Sequence, residues 1–237
     1  MSQNQTTRYF KYAIGEILLV VIGILLALQI NNWNEVRINQ SKLKSYILAY
    51  KLELEYNIQL FDREIRAANH FIDKNIRTLE IRDFDSIHVD SLEQMIETFY
   101  INFDTENYVH ETFKNSQITD FGKYDSIINN MQFYYAWTYT EIDDVLKQHN
   151  SAVDKADEFW RFEQNAYELN YNSPKSTTLQ SEEERKRNMV ELIKSPRGRN
   201  ILKIDIRKKR EVIDYIKNYK AVSVQNLQQI NRILNLN

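Results

Sequence analysis

The chain has 237 residues, with 31 Lys and Arg against 33 Asp and Glu, for a net charge of −2. It contains no cysteine, four glycines and two prolines. The missing thiols exclude disulfide staples, thiolate chemistry and Cys-based metal sites, and so few turn-forming residues at this length imply long helices.

The first element is Tyr12 to Asn34, YAIGEILLVVIGILLALQINNWN. From Tyr12 to Ile30 it runs nineteen nearly all-apolar residues. At the helical rise that is roughly 28 Å, the thickness of the hydrocarbon core of a bilayer. Tyr9, Phe10 and Tyr12 mark one end and Trp33 the other, where amphipathic rings favour the headgroup region. Leu28-Gln29-Ile30-Asn31-Asn32 offers no small-residue cleavage pattern, so the segment is expected to remain as a signal anchor. Residues 1–11 are then a short tail, 12–32 a transmembrane helix and 33–237 one helical domain.

Within the span, Glu16, Val20, Gly23, Ala27 and Ile30 recur at steps of 4, 3, 4 and 3 and share one face. Gly23-x-x-x-Ala27 is a small-xxx-small pair that allows two helices to approach closely. A carboxylate facing lipid is costly, so Glu16 is expected to face a partner helix, a basic group or the interface. Arg8 and Lys11 precede the span and Arg37, Lys42 and Lys44 follow it, so the count of flanking cations does not choose a side. The short tail and uncleaved anchor give an N-terminus inside the cell and a domain outside the cytoplasm. Only about eleven residues precede the span.

The stretch YAIGEILLVVIGILLALQINNWNE, followed by a basic helical start, resembles the opening of a family of small single-span membrane proteins of Gram-negative bacteria to which no activity is assigned. The resemblance covers about the first 35 residues. It implies a bacterial inner-membrane protein with a periplasmic domain. It supplies no catalytic residues.

Between Gly23 and Gly122 there is neither glycine nor proline. Leu43, Ile47, Tyr50, Leu54, Phe61, Ile65, Ala68, Ile72, Ile76 and Leu79, with Asn57 in the one gap, repeat at a mean step of about 3.6. The membrane helix is therefore expected to continue to near Arg82. Asp83-Phe84-Asp85-Ser86 breaks the pattern. Ser91 or Asp90 reads as a cap, followed by short helices near Leu92–Asn102 and Thr105–Ser116, then a turn from Ile118 to Lys123 around Gly122.

A second long helix is expected from Tyr124 to near Asn170. Its seam is Ile128, Met131, Tyr135, Thr138, Ile142, Val145, His149, Ala152, Ala156, Phe159, Glu163 and Ala166, a coiled-coil-like heptad pattern. Tyr171-Asn172-Ser173-Pro174 reads as a loop. Ser181 with Glu182-Glu183-Glu184 is an N-cap with an acidic first turn, and Ser195-Pro196 caps the last helix. That helix carries Leu202, Ile206, Val212, Ile213, Ile216, Tyr219, Leu227, Ile230 and Leu234. No segment alternates with period two. The fold class is all-α, an N-terminal transmembrane helix continuing into an elongated antiparallel bundle.

Charge is segregated. Asp85, Asp90, Glu93, Glu97, Asp104, Glu106, Glu111, Asp120, Asp125, Glu141 and Asp143 face only Lys114 and Lys123 across residues 83–144. Residues 185–210 are basic, and Arg197, Arg199, Lys203, Arg207, Lys208, Lys209 and Arg210 form a possible contact patch. Attraction between the two segments would help set the topology. If the basic one is free, it suits anionic headgroups or an acidic partner.

The run Phe133-Tyr134-Tyr135-Ala136-Trp137-Thr138-Tyr139 covers every side of its helix, so it forms either bundle core or a cluster for a ligand or partner, above all Phe133, Tyr134, Trp137 and Tyr139. His70, His88, His110 and His149 fit neither HExxH nor Glu-x-x-His spacing, and no Gly-x-Ser-x-Gly occurs. No metal, cofactor, small-molecule ligand or nucleic acid is expected, and His149 reads as a hydrogen-bonded core residue. The sequence thus points to a non-enzymatic membrane-anchored scaffold, adaptor or accessory subunit, oligomeric or joined to a membrane-protein partner. The alternative is a periplasmic ligand-sensing bundle that signals through a membrane partner.

Overall fold

The computed structural model describes residues 3–102, 107–163, 166–170 and 178–235, with side chains from residue 13 and without those of 137–140. It is all-helical, with no strand among the described residues. The first helix, α1, runs unbroken over Gln3–Glu80. Its 78 residues extend roughly 117 Å at the helical rise.

The periphery of α1 changes along its length. Residues 13–38 are exposed on every side, including Ile17, Leu19 and Leu25. This is a stretch long and apolar enough to cross a membrane; a helix apolar all round is ordinarily buried, in a protein core or in a membrane. From Leu43 the helix becomes one-sided: Leu43, Ile47, Tyr50, Leu54, Asn57, Phe61, Ala68 and Ile72 are buried at steps of three, four and seven.

At the far end the chain turns into α2 (Val89–Met95), then descends beside α1 to α3 (Tyr108–Lys114). The descent is read from contacts: Phe99 stacks on Phe71 at 4.5 Å, the Val109 amide donates to Glu53 at 2.8 Å, and Phe113 meets Tyr46 edge-on at 5.6 Å. Gly122 turns the chain back with φ of +51°, a conformation that favours glycine. A 3₁₀ turn (Gly122–Tyr124) leads into α4 (Asp125–Phe133) and α5 (Tyr139–Asp157). After α6 (Glu182–Lys194), α7 (Pro196–Leu234) returns antiparallel to α1. Asn75 donates to Asp205, Lys220 to Asp62, and Asn226 to Tyr50.

Two caps fall where the sequence placed them. Ser181 Oγ accepts from the Glu184 amide at 3.2 Å, and Ser195 Oγ accepts from the Gly198 amide at 3.0 Å. Other details differ. The cap of α2 is His88, whose Nδ1 accepts from the Asp90 amide, not Ser91 or Asp90. Both short helices are shorter than their apolar patterns suggested. The expected loop at Tyr171–Pro174, Thr105, Asp104 and Glu106 lie outside the described residues.

The second long helix is the main correction. It carries two π-helical turns, Tyr134–Thr138 and Glu158–Phe162, and ends there rather than near Asn170. The Glu163 amide donates five residues back to the Glu158 carbonyl at 2.7 Å. Each turn faces two successive aromatic side chains inward: Tyr134 with Tyr135, and Phe159 with Trp160, all at most 5% exposed. A regular helix rotates neighbours about 100° apart, whereas a π turn is wider and shifts the register that follows. The seam consequently drifts. Val153 is buried rather than Ala152, and Glu163 is exposed.

Candidate functional site

Three places hold the residues that the sequence marked. The first is the apolar stretch of α1. Glu16, Val20, Gly23, Ala27 and Ile30 are all exposed, and a Cβ placed on Gly23 would meet nothing within 4 Å. The same face continues above this stretch at helical steps through Leu48, Leu52 and Tyr56. These are exposed by 38%, 65% and 49% on a part of α1 whose opposite side is core.

The second is the first π turn. Of the marked aromatic cluster, Phe133 is 60% exposed and Tyr134 is buried. The side chains of Trp137 and Tyr139 lie outside the described residues. The residue the cluster omitted, Tyr135, is the central one. Its hydroxyl donates to Glu53 Oε2, while Glu53 Oε1 accepts from the Val109 amide at 2.8 Å. His110 stacks on the Tyr135 ring with centroids 4.8 Å apart. Tyr134 shares a hydrogen bond of 3.0 Å with Ser223, and Tyr50 accepts from Asn226 at 2.8 Å.

Burial dominates the protonation of this hub. It raises the Tyr50, Tyr134 and Tyr135 phenols, and Glu53 raises Tyr135 further. Burial, then Lys114, lowers His110. Both carboxylate oxygens of Glu53 are committed to donors, which is how a buried acid avoids its desolvation cost. The arrangement therefore ties α1, α3, the π turn and α7 together rather than presenting a reactive group.

The third place is the basic stretch of α6 and α7. Arg185 is buried against Glu93, and Lys186 donates to the Asp85 carbonyl at 2.5 Å. The acidic and basic segments are thus neighbours. Much of the marked patch is used internally. Arg197 pairs with Glu163 at 2.8 Å, Arg199 donates to the Leu79 carbonyl, and Arg207 and Lys208 both reach Glu211. Lys209 is fully buried beside Asp205, its ammonium pKa lowered by burial. Lys203 and Arg210 are exposed.

The four histidines are dispersed. His70 is exposed at the far end of α1, His88 caps α2, and His110 joins the tyrosine hub. His149 is 0% exposed; its Nδ1 lies 2.9 Å from Asn150 Oδ1, while its buried Nε2 has no hydrogen-bond partner among the described residues. Among the described residues no three His, Asp or Glu converge as a metal site. No family model, curated protein or solved structure matches the chain.

Glu53 is the hub residue that the sequence did not single out. Its signal is weak. It sits one residue before core Leu54, where a carboxylate is usually solvated, and only the tertiary partners Val109 and Tyr135 explain its burial.

Proposed function

We propose that the chain is a membrane-anchored helical scaffold, adaptor or accessory subunit that works through protein contacts and has no catalytic role. In this reading it spans the bacterial inner membrane once with residues 12–32. The N-terminus is cytoplasmic and residues 33–237 stand in the periplasm. The observation that carries the reading is the continuity of α1: one unbroken helix forms both the apolar stretch and a wall of the bundle. Such a rod fixes the domain's height and rotation relative to the bilayer.

Self-association through the α1 face is part of the proposal. Gly23 and Ala27 permit close approach in lipid. Leu48, Leu52 and Tyr56 extend the same side, where an apolar stripe exposed to water favours a partner. In a membrane two-hybrid assay, Gly23→Leu with Ala27→Leu should reduce self-association. Since nothing occupies the space around Gly23, the monomer accommodates the larger side chain, and an undiminished signal refutes the pairing face. Crosslinked pull-down from native membranes should return stoichiometric copies of the chain or a membrane partner. A C-terminal reporter active only in the cytoplasm would reverse the orientation.

A further inference from the structure

At the end of α1 farthest from the apolar stretch, its last turns and α2 enclose an open groove of about 630 Å³. This is the size range of small-molecule sites. One wall comes from α1 residues at helical spacing: His70, Phe71, Lys74 and Arg77. The opposite wall comes from Ser91, Gln94 and Met95 of α2, with Glu97 just beyond.

Several cations of the bundle are paired with acids. Arg185, Arg161, Lys209 and Lys220 each touch a carboxylate. Among the described residues, neither Lys74 nor Arg77 lies within ion-pair distance of one. The Lys74 ammonium is half-buried and donates to the Glu97 backbone carbonyl, which occupies one of its three donors. It also lies 4.6 Å from the Phe71 ring centroid. Behind it, Asp205 is already held by Lys209 and Asn75, and Asp157 by Arg161. A partly desolvated cation whose nearby acids, Glu97 and Asp205, stand beyond ion-pair distance keeps part of its desolvation cost, and an entering anion would offset it.

The apolar part of the groove restricts the anion further. Phe71, stacked on Phe99 at 4.5 Å with rings 13° apart and carrying the Lys74 ammonium over its ring, is held rigidly in the wall. Ile81 and Met95 add apolar lining. Two cations set against the single lining acid, Glu97, leave a local charge of about one, which suits a monoanion better than a dianion.

We propose that this groove binds a small organic monoanion, a carboxylate with an apolar body. The head group lies between Lys74 and Arg77, Ser91 and Gln94 offer further donors, and the body lies against Ile81 and Met95. The site goes beyond the scaffold reading and does not depend on it.

Lys74 itself reports occupancy. Burial lowers its pKa to about 8, with Glu97 opposing. Near pH 8 a larger share of it is free amine than of an ordinary lysine. The test is acylation of the detergent-solubilised full chain by a water-soluble succinimidyl ester, read at Lys74 by peptide mass spectrometry. Benzoate is the probe, with benzyl alcohol and inorganic phosphate as controls. Benzoate should slow Lys74 acylation severalfold while leaving exposed Lys203 unchanged, and neither control should match it. Calorimetry should show Arg77→Gln weakening benzoate about tenfold. Lys74→Arg should retain binding and Lys74→Met should lose it; if Lys74→Met does not fold, Arg77→Gln on the exposed rim decides. No slowing by benzoate, equal slowing by benzyl alcohol or by phosphate, or undiminished affinity in Arg77→Gln overturns the proposal.

Discussion

Arg185 offers the sharpest test of what holds the bundle together. It is 1% exposed and its partner Glu93 is 10% exposed. Arg185 Nε also donates to the Glu168 carbonyl at 2.8 Å, and Glu93 Oε1 accepts from the Asn170 amide at 2.8 Å. Arg185→Met removes the guanidinium that pairs with the buried Glu93 carboxylate. Such a change costs about 3–5 kcal/mol. An exposed pair such as Arg197–Glu163 contributes about 0–1 kcal/mol. At roughly 2–4 °C per kcal/mol for a chain of this size, the melting temperature should fall by roughly 6–20 °C. The double variant Arg185→Met/Glu93→Met removes the carboxylate as well. It still leaves the Asn170 amide and the Glu168 carbonyl short of a partner, at about 1–3 kcal/mol. It should therefore melt above the single variant. Far-UV circular dichroism of the full chain in detergent measures both. A loss under ~1 kcal/mol for Arg185→Met, or a double variant no more stable than the single, refutes the assignment of this pair as buried and charge-compensated.

Three further outcomes follow from other sites. Tyr135→Phe removes a donor to buried Glu53 and should cost about 1.5–3 kcal/mol, more than Tyr134→Phe, which loses neutral bonds to Ser223 and Asn57; equal losses in chemical denaturation would contradict the hub. Gly198→Ala would place a Cβ 2.2 Å from the Leu192 backbone oxygen and 3.1 Å from Trp160, so the corner between α6 and α7 must shift, at about 1–3 kcal/mol in thermal melts. Burial lowers His149 from its ordinary 6.5, and His110 in the same direction. The unfolded chain then binds protons more readily than the folded one below about pH 6.5. Stability contributed by their neutral forms is complete above that pH and declines as the pH falls below it. His149→Leu should flatten the slope of melting temperature between about pH 6.5 and 5, and an unchanged slope would remove His149 from the account.

Much of the architecture was legible along the chain. The apolar span, the absence of glycine and proline from Gly23 to Gly122, and the 3.6-residue repeat from Leu43 to Leu79 suffice to specify one continuous α1. Ser181 and Ser195 were legible for a similar reason: a cap is settled by the side chain and the amide three residues later. The attraction between acidic and basic segments was open in the sequence as one of several outcomes, and Arg185–Glu93 realises it. The π turns were not legible. A heptad count assumes one period throughout, whereas Tyr134-Tyr135 and Phe159-Trp160 bury adjacent rings by locally widening the helix. Arg207, Lys208 and Lys209 read as a surface run, yet Lys209 is buried beside Asp205.

Local chemistry therefore determined what is repetitive or short-range: helix, span, cap, and the segregation of charge. The polar hub and the groove between α1 and α2 depend on residues tens of positions apart. Glu53 is buried because Val109 and Tyr135 arrive to meet it, and Lys74 donates to the Glu97 carbonyl while Asp205 is held by Lys209 and Asn75. Only the packed helices set those partnerships, since the cost of burying a charge depends on what else is buried beside it.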